Sequence, residues 1–301
     1  MKKLIVFNRT TATLEEEIIY GRFWLDLLYG NKWWQKLLSL FLLPVCVHST
    51  ILSRIYGYFQ KKKKSKKKII PFIETYNIDT NEFAISFENY QSFNDFFIRK
   101  LKKDARSIAS SSAILPADGR YLCFENIEQF STFSVKNETL TLSTLLQDEE
   151  LSREFEGCSL VLARLCPTDY HRFHFPIDAI FKRKRLINGS LFSVNPMAWT
   201  QRLKTFCQNK RYCCELESTI FGNVLLIPVG ATNVGSVHFT SKEGQFYKKG
   251  EELAYFSFGG SALIVLFKKS SIVFSTDLLK NSYKKLEVKA LFGQTLGEHL
   301  K

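Results

Sequence analysis

The stretch YFSFGGSALIVLF, residues 255–267, reads as a continuous buried strand interrupted by Gly259, Gly260 and Ser261. Runs of the same texture recur through the second half of the chain: SLVLARL, FGNVLLIPVGATNVGSVHF, EELAYFSFGG, SALIVLF and SSIVFS, short, β-branched or aromatic, and punctuated by glycine. They predict a mostly antiparallel β domain. Residues 244–254, GQFYKKGEELA, place a basic turn and a glycine ahead of a strand, as in compact sandwich-like or barrel-like domains whose loops reverse tightly.

Glycines inside a strand ordinarily mark a bulge or a close backbone approach. A serine directly after them opens a second reading. Glycine supplies an unusual backbone conformation at little steric cost, and a hydroxyl held against the preceding carbonyl attacks its own peptide bond. That chemistry needs a histidine to take the serine's proton and an aspartate to fix the histidine's tautomer and orientation.

Two segments offer such groups. LPADGRY, residues 115–121, contains Asp118 and Gly119, which as a bare dipeptide signals a β-turn. CPTDYHRFHFP, residues 166–176, carries two of the chain's five histidines, His171 and His174. A metal site would want three or four ligands, and no further His, Cys or carboxylate cluster stands at ligand spacing here. In an extended strand positions three apart point to opposite faces, so the two histidines need not share a role.

The amino-terminal region has a different character. Residues 18–59 are rich in large apolar and aromatic side chains, and spacings such as Phe23, Leu27, Leu28 and Trp34, Leu37, Leu38, Phe41 suit amphipathic helices. The longest apolar run, residues 37–47, contains Ser39 and Pro44 and falls short of the roughly 20 residues a spanning helix needs. The first residues, MKKLIVFNRTTATLEEE, lack the apolar core and cleavage site of an export signal, and none is expected. ENYQSFNDFFIRKLKKDAR, residues 88–106, has helical spacing of its aromatics.

Net charge is +13, but seven of those charges are the lysines of KKKKSKKK, residues 61–68, which leaves +6 for the rest of the chain. Such a run suits a solvated linker, a nucleic-acid tail or an anionic membrane surface. Dispersed arginines with stacking aromatics are not evident, so no nucleic-acid partner is expected. Each lysine near an anionic bilayer contributes about 1 kcal/mol, which favours peripheral membrane attachment. The seven cysteines are odd in number, scattered and without CxxC spacing, which points to a reduced, cytosolic setting. The fold class expected is therefore α+β: amphipathic helices with a polybasic run over 1–68, then a mostly antiparallel sandwich- or barrel-like domain over 69–301.

ADGR at 117–120, DYHRFHFP at 169–176, VGATNVGSV at 229–237 and KKGEELAYFSFGGS at 248–261, in that order and spacing, resemble the phosphatidylserine decarboxylases, a pyruvoyl-dependent family. SFNDFFIRKLK at 92–102 and the aromatic amino-terminal helices resemble it too, so the likeness covers essentially the whole chain. The resemblance implies self-cleavage between Gly260 and Ser261, giving a β chain of 1–260 and an α chain of 261–301 that stay associated. Ser261 would become the pyruvoyl cofactor, which decarboxylates phosphatidylserine to phosphatidylethanolamine by way of a Schiff base. It implies that Asp118 and His174 serve self-processing and that His171 serves decarboxylation, where a pKa near neutrality would suit it as proton donor. It also implies a homodimer, and a peripheral enzyme on the cytoplasmic side of the cell membrane.

One departure stands out: where the family has a second hydroxyl residue after the serine, this chain has Ala262. Processing is still expected, because Ser261, Asp118 and His174 are all present. Two other readings compete. A membrane-associated serine hydrolase would keep Asp118, His174 and Ser261 as a stable triad, although no GxSxG elbow accompanies them. A non-catalytic lipid-binding relative would be tethered by residues 18–68.

Overall fold

A computed structural model describes residues 4–19, 21, 27, 32, 33, 37, 57–129, 141–195, 205–231, 237–257 and 261–300. The amphipathic helices expected over 18–59 fall largely outside these residues, as do Gly259 and Gly260. Among the described residues no helix is long and apolar enough to cross a membrane.

The strands are β1 (Ile5–Asn8), β2 (Thr13–Glu16), β3 (Ala113–Ile114), β4 (Gly119–Phe124), β5 (Ser159–Leu165), β6 (Arg172–His174), β7 (Ala179–Ile187) and β8 (Arg211–Ser218). They continue with β9 (Gly222–Gly230), β10 (Val237–Phe239), β11 (Gln245–Tyr247), β12 (Glu252–Phe256), β13 (Ser261–Phe267), β14 (Ile272–Phe274), β15 (Val288–Ala290) and β16 (Thr295–His299). The α-helices described from end to end are α1 (Ile69–Tyr76), α2 (Phe93–Phe97), α3 (Leu142–Leu146), α4 (Glu149–Glu154), α5 (Thr205–Gln208) and α6 (Thr276–Tyr283). Ten strands form one open sheet in the order β11-β7-β8-β9-β13-β5-β4-β15-β1-β2, antiparallel except where β1 runs parallel to β15. The α+β class and the antiparallel sheet are as expected, and the large sheet does not close into a barrel.

β13 lies at the centre of this sheet, paired along its whole length with β5 on one side and β9 on the other. Leu263, Val265 and Phe267 enter the core beneath the small sheet β10-β12-β6, which contributes Phe173, Leu253 and Phe256. Ala262, Ile264 and Leu266 enter the opposite core, covered by α3, α4 and α5 through Leu145, Leu151 and Phe206. Burial on both faces explains why the strand is an unbroken apolar run rather than an alternating one, with each large side chain contributing about 2 kcal/mol.

β1 and β2 extend this sheet, so the start of the 1–68 region shares the β-structure of the 69–301 unit. The lysine run is a 3₁₀ helix, Lys63–Lys68, that continues directly into α1. Its lysines are exposed while Ser65 is buried, accepting the Phe93 N–H on its Oγ at 2.9 Å and donating to the Lys62 carbonyl at 2.6 Å. The run is thus seated on α2. The helix expected over 88–106 shrinks to α2 alone. Beyond Ile98 the backbone pairs with residues 82–84 instead, through Ala84 N–H to Lys100 O and Lys102 N–H to Glu82 O, and this long-range pairing overrides the helical spacing. The aromatics that suggested a helix, Tyr90, Phe93, Phe96 and Phe97, form a small core with Phe72 and Phe83.

Candidate active site

Ser261 opens β13 opposite Leu165 at the end of β5 and Gly230 at the end of β9. It is fully buried, and its Oγ has no hydrogen-bond partner among the described residues. Alternation along the strand puts it on the face of Leu263, beneath the small sheet, and turns Ala262 into the helix-covered core. Position 262 is therefore an apolar packing position in this chain.

Past Leu165 the chain turns. The Asp169 N–H donates to the Cys166 carbonyl at 2.9 Å, and the Asp169 carboxylate accepts the Cys166 N–H at 2.6 Å. This turn delivers His171 beside the end of β12, where the Phe256 N–H donates to the His171 carbonyl at 3.0 Å. His171 and Ser261 thus flank the connection 257–260. The His171 ring packs on Phe97 at 3.9 Å between centroids, and its Nδ1 donates to the Asp169 carbonyl at 2.9 Å. That bond leaves Nε2 as the bare acceptor, buried and without a partner among the described residues. Burial, aided by the charges of Arg99 and Arg120, lowers the His171 pKa to about 3 against the pull of the Asp169 carbonyl. The near-neutral pKa expected of it is not found, because the ring is desolvated and faces cations. A buried polar atom left without any partner costs about 1–3 kcal/mol, and among the described residues two such atoms flank this connection.

His174 and Asp118 are fully engaged by comparison. His174 donates Nδ1–H to the Gly250 carbonyl at 2.9 Å, and its Nε2 accepts from the Tyr170 hydroxyl at 3.2 Å. The ring stacks on Phe292 at 3.7 Å and 13°. Burial lowers its pKa to about 4, opposed by the Gly250 carbonyl and the charges of Glu252 and Asp118. Asp118 is bound by Arg106 at 2.7 and 3.1 Å and accepts the Phe292 N–H at 2.8 Å. The expected direct Asp–His contact is absent, and Phe292 joins the two, bonded to Asp118 by its backbone and stacked on His174 by its ring. The described hydrogen bonds do not link Asp118, His174 and Ser261 into a triad. Gly119 opens β4 rather than making a hairpin turn, and a Cβ there would lie 3.0 Å from the Arg164 carbonyl oxygen.

Sequence reasoning missed Arg106, Tyr170 and Phe292. Arg106 and Tyr170 sit inside stretches already singled out, so their partners' roles were a signal. Phe292, far along the chain in an irregular segment, had none.

Sequence comparison finds relatives of this chain. A sequence model of the family described as phosphatidylserine decarboxylase matches residues 93–298. The chain is 45% identical to the phosphatidylserine decarboxylase proenzyme of Chlamydia pneumoniae and 42% identical to that of Chlamydia muridarum, each over 299 residues covering 99% of this chain and 98% of the relative. The proenzyme of Chlamydia trachomatis serovar L2b is 38% identical over 304 residues, with the same coverage.

Proposed function

The chain belongs to the phosphatidylserine decarboxylase family of carboxy-lyases, and we propose that it acts on phosphatidylserine through a pyruvoyl ketone made from its own Ser261. The observation that carries the reading is the buried Ser261 Oγ at the head of the central strand, without a hydrogen-bond partner among the described residues. A hydroxyl without a partner among the described residues fits a side chain that is consumed rather than one that holds the fold. In self-processing the Oγ attacks the Gly260 carbonyl, its proton passing through a base to the departing amide nitrogen, and an ester forms. Loss of the Ser261 α-proton with departure of the Gly260 carboxylate leaves a dehydroalanine, and addition of water with release of ammonia gives the ketone. His174 is the base in this reading, which requires its Nε2 to exchange Tyr170 for Ser261. Asp118 positions it through Phe292.

The ketone would supply a carbonyl able to condense with the substrate amine, with loss of water, and an electron sink for the pair left by CO₂. His171, held neutral with Nε2 bare among the described residues, would relay the proton shed by the substrate ammonium to the α-carbon once CO₂ has left, and water would then cleave the product imine to release phosphatidylethanolamine and restore the ketone. The cut leaves the pieces together, since β13 is hydrogen-bonded on both sides and Glu287 of the 261–301 piece pairs with buried Arg164 of the other. The exposed lysines of 61–68, beside exposed Tyr58 and Phe59, support peripheral docking on an anionic bilayer at its cytoplasmic side. The family resemblance supports a homodimer.

Purified protein mixed with phosphatidylserine vesicles should release CO₂ and form the ethanolamine lipid, while Ser261→Ala releases none. Absence of CO₂ release together with covalent labelling of Ser261 by a fluorophosphonate would sink this reading in favour of a serine hydrolase.

A further inference from the structure

Behind the His171 turn lies a buried ionic cluster that the reaction above leaves unexplained. Arg120 on β4 and Arg164 on β5 are directly opposed in register, and both are buried. Two facing cations in that setting repel each other and need anions. Glu17, just past β2, lies between them. Its carboxylate accepts Arg120 Nε at 2.6 Å and Arg164 Nη1 and Nη2 at 3.0 and 3.1 Å. Burial alone would raise the Glu17 pKa, but the two arginines bring it down to about 2. Glu287 takes the Arg164 Nε at 3.0 Å.

The cluster reaches His171 by short links. Arg120 uses its Nη1 to hold the Asp169 carboxylate, the group that closes the Cys166–Asp169 turn. The Asp169 carbonyl then accepts both His171 Nδ1–H at 2.9 Å and Arg99 Nη2 at 3.1 Å. Glu17 is placed by the first β-hairpin, since its N–H donates to the Leu4 carbonyl and the Phe7 N–H to the Glu287 carbonyl, both at 2.9 Å.

We propose that Glu17, delivered by the amino-terminal hairpin, is a positioning residue for His171. Its charge keeps Arg120 aligned on Asp169, and Asp169 keeps the hydrogen of the imidazole on Nδ1, so that Nε2 stays free to take a proton. Neutralising Glu17 leaves two facing arginines without their shared anion. Arg120 then reorients, the Asp169 turn loosens, and the imidazole loses the bond that sets its tautomer. The catalytic half of this inference rests on the decarboxylase reading, whereas the tautomer half does not.

The test uses full-length protein. Nitrogen NMR of the five histidines in the uncut Ser261→Ala protein should show His171 as the Nδ1–H tautomer, and adding Glu17→Gln should give a mixture. In self-processed enzyme, Glu17→Gln should lower kcat about 10- to 100-fold with KM within about twofold, the scale seen when the outer partner that orients a metal-bound imidazole is removed. Glu17→Asp, which keeps the charge, should recover most of the loss. Should Glu17→Gln fail to fold, Arg120→Lys serves, because it keeps a charge but loses the fork that grips Glu17 and Asp169 together, and the same tautomer change is expected. An unchanged His171 tautomer in the folded variant, or a wild-type kcat, overturns the proposal. A changed tautomer in a protein with no decarboxylase activity would instead count against the proposed reaction.

Discussion

Ser261 and His171 flank the same connection and share an oddity, a buried polar atom without a partner among the described residues, yet opposite means hold them in place. Ser261 sits in a dry frame, a strand paired on both sides and apolar on both faces. His171 sits in a polar frame of aspartate, arginine and glutamate, with one aromatic ring as its floor. The difference follows from the two tasks proposed for them. A side chain that reacts once needs its backbone fixed and nothing bonded to its hydroxyl, which an apolar sheet centre provides. A group that takes and returns a proton in each cycle needs one nitrogen occupied and the other free, which only a directional hydrogen bond can specify.

Breaking the polar frame at its end point separates the tasks most sharply. His171→Gln should leave self-cleavage intact and lower decarboxylation by about 10²- to 10⁴-fold, the usual contribution of a positioned acid–base group. Single-turnover kinetics on the cleaved variant check this, and loss of cleavage along with turnover would show that the two residues do not divide the work.

Acid offers a gentler way to strain the same frame. Folded His171 and His174 have pKa values of about 3 and 4, below the 6.5 of a free imidazole, so the unfolded chain binds protons that the folded one refuses. The stability these residues contribute is complete above pH 6.5 and is lost as pH falls towards 4 and then 3, at about 1.4 kcal/mol per pH unit for each group. Thermal melts from pH 7 to 4 should show this decline, with a shallower slope in His171→Gln. Equal slopes would mean that the ring is not held neutral.

The strands were readable because their signal is local. The run after Ser261 is apolar at every position, and such a run fits a strand covered on both faces, which is where β13 stands. The segment after Phe97 misled because its aromatic spacing is helical while its backbone pairs with residues 82–84, far from it in sequence. Asp118 and His174 were expected to work together, but their link runs through Phe292, and nothing near that residue in the sequence signals the contact. Ala262 looked like a loss of chemistry in sequence, yet strand alternation turns it away from Ser261 into the core. Glu17 carried no signal at all. A single glutamate after a short strand is ordinary until two buried arginines from other strands are seen to meet on it.

The central claim is that Ser261 is converted and not merely retained, and the intact mass of the purified protein tests it most directly. The account predicts two chains: residues 1–260 ending in a carboxylate, and residues 261–301 with a terminus that resists amine-directed sequencing and is lighter by one ammonia than a serine-started peptide. A single uncut chain, or a small chain beginning with a free serine amine, would contradict it.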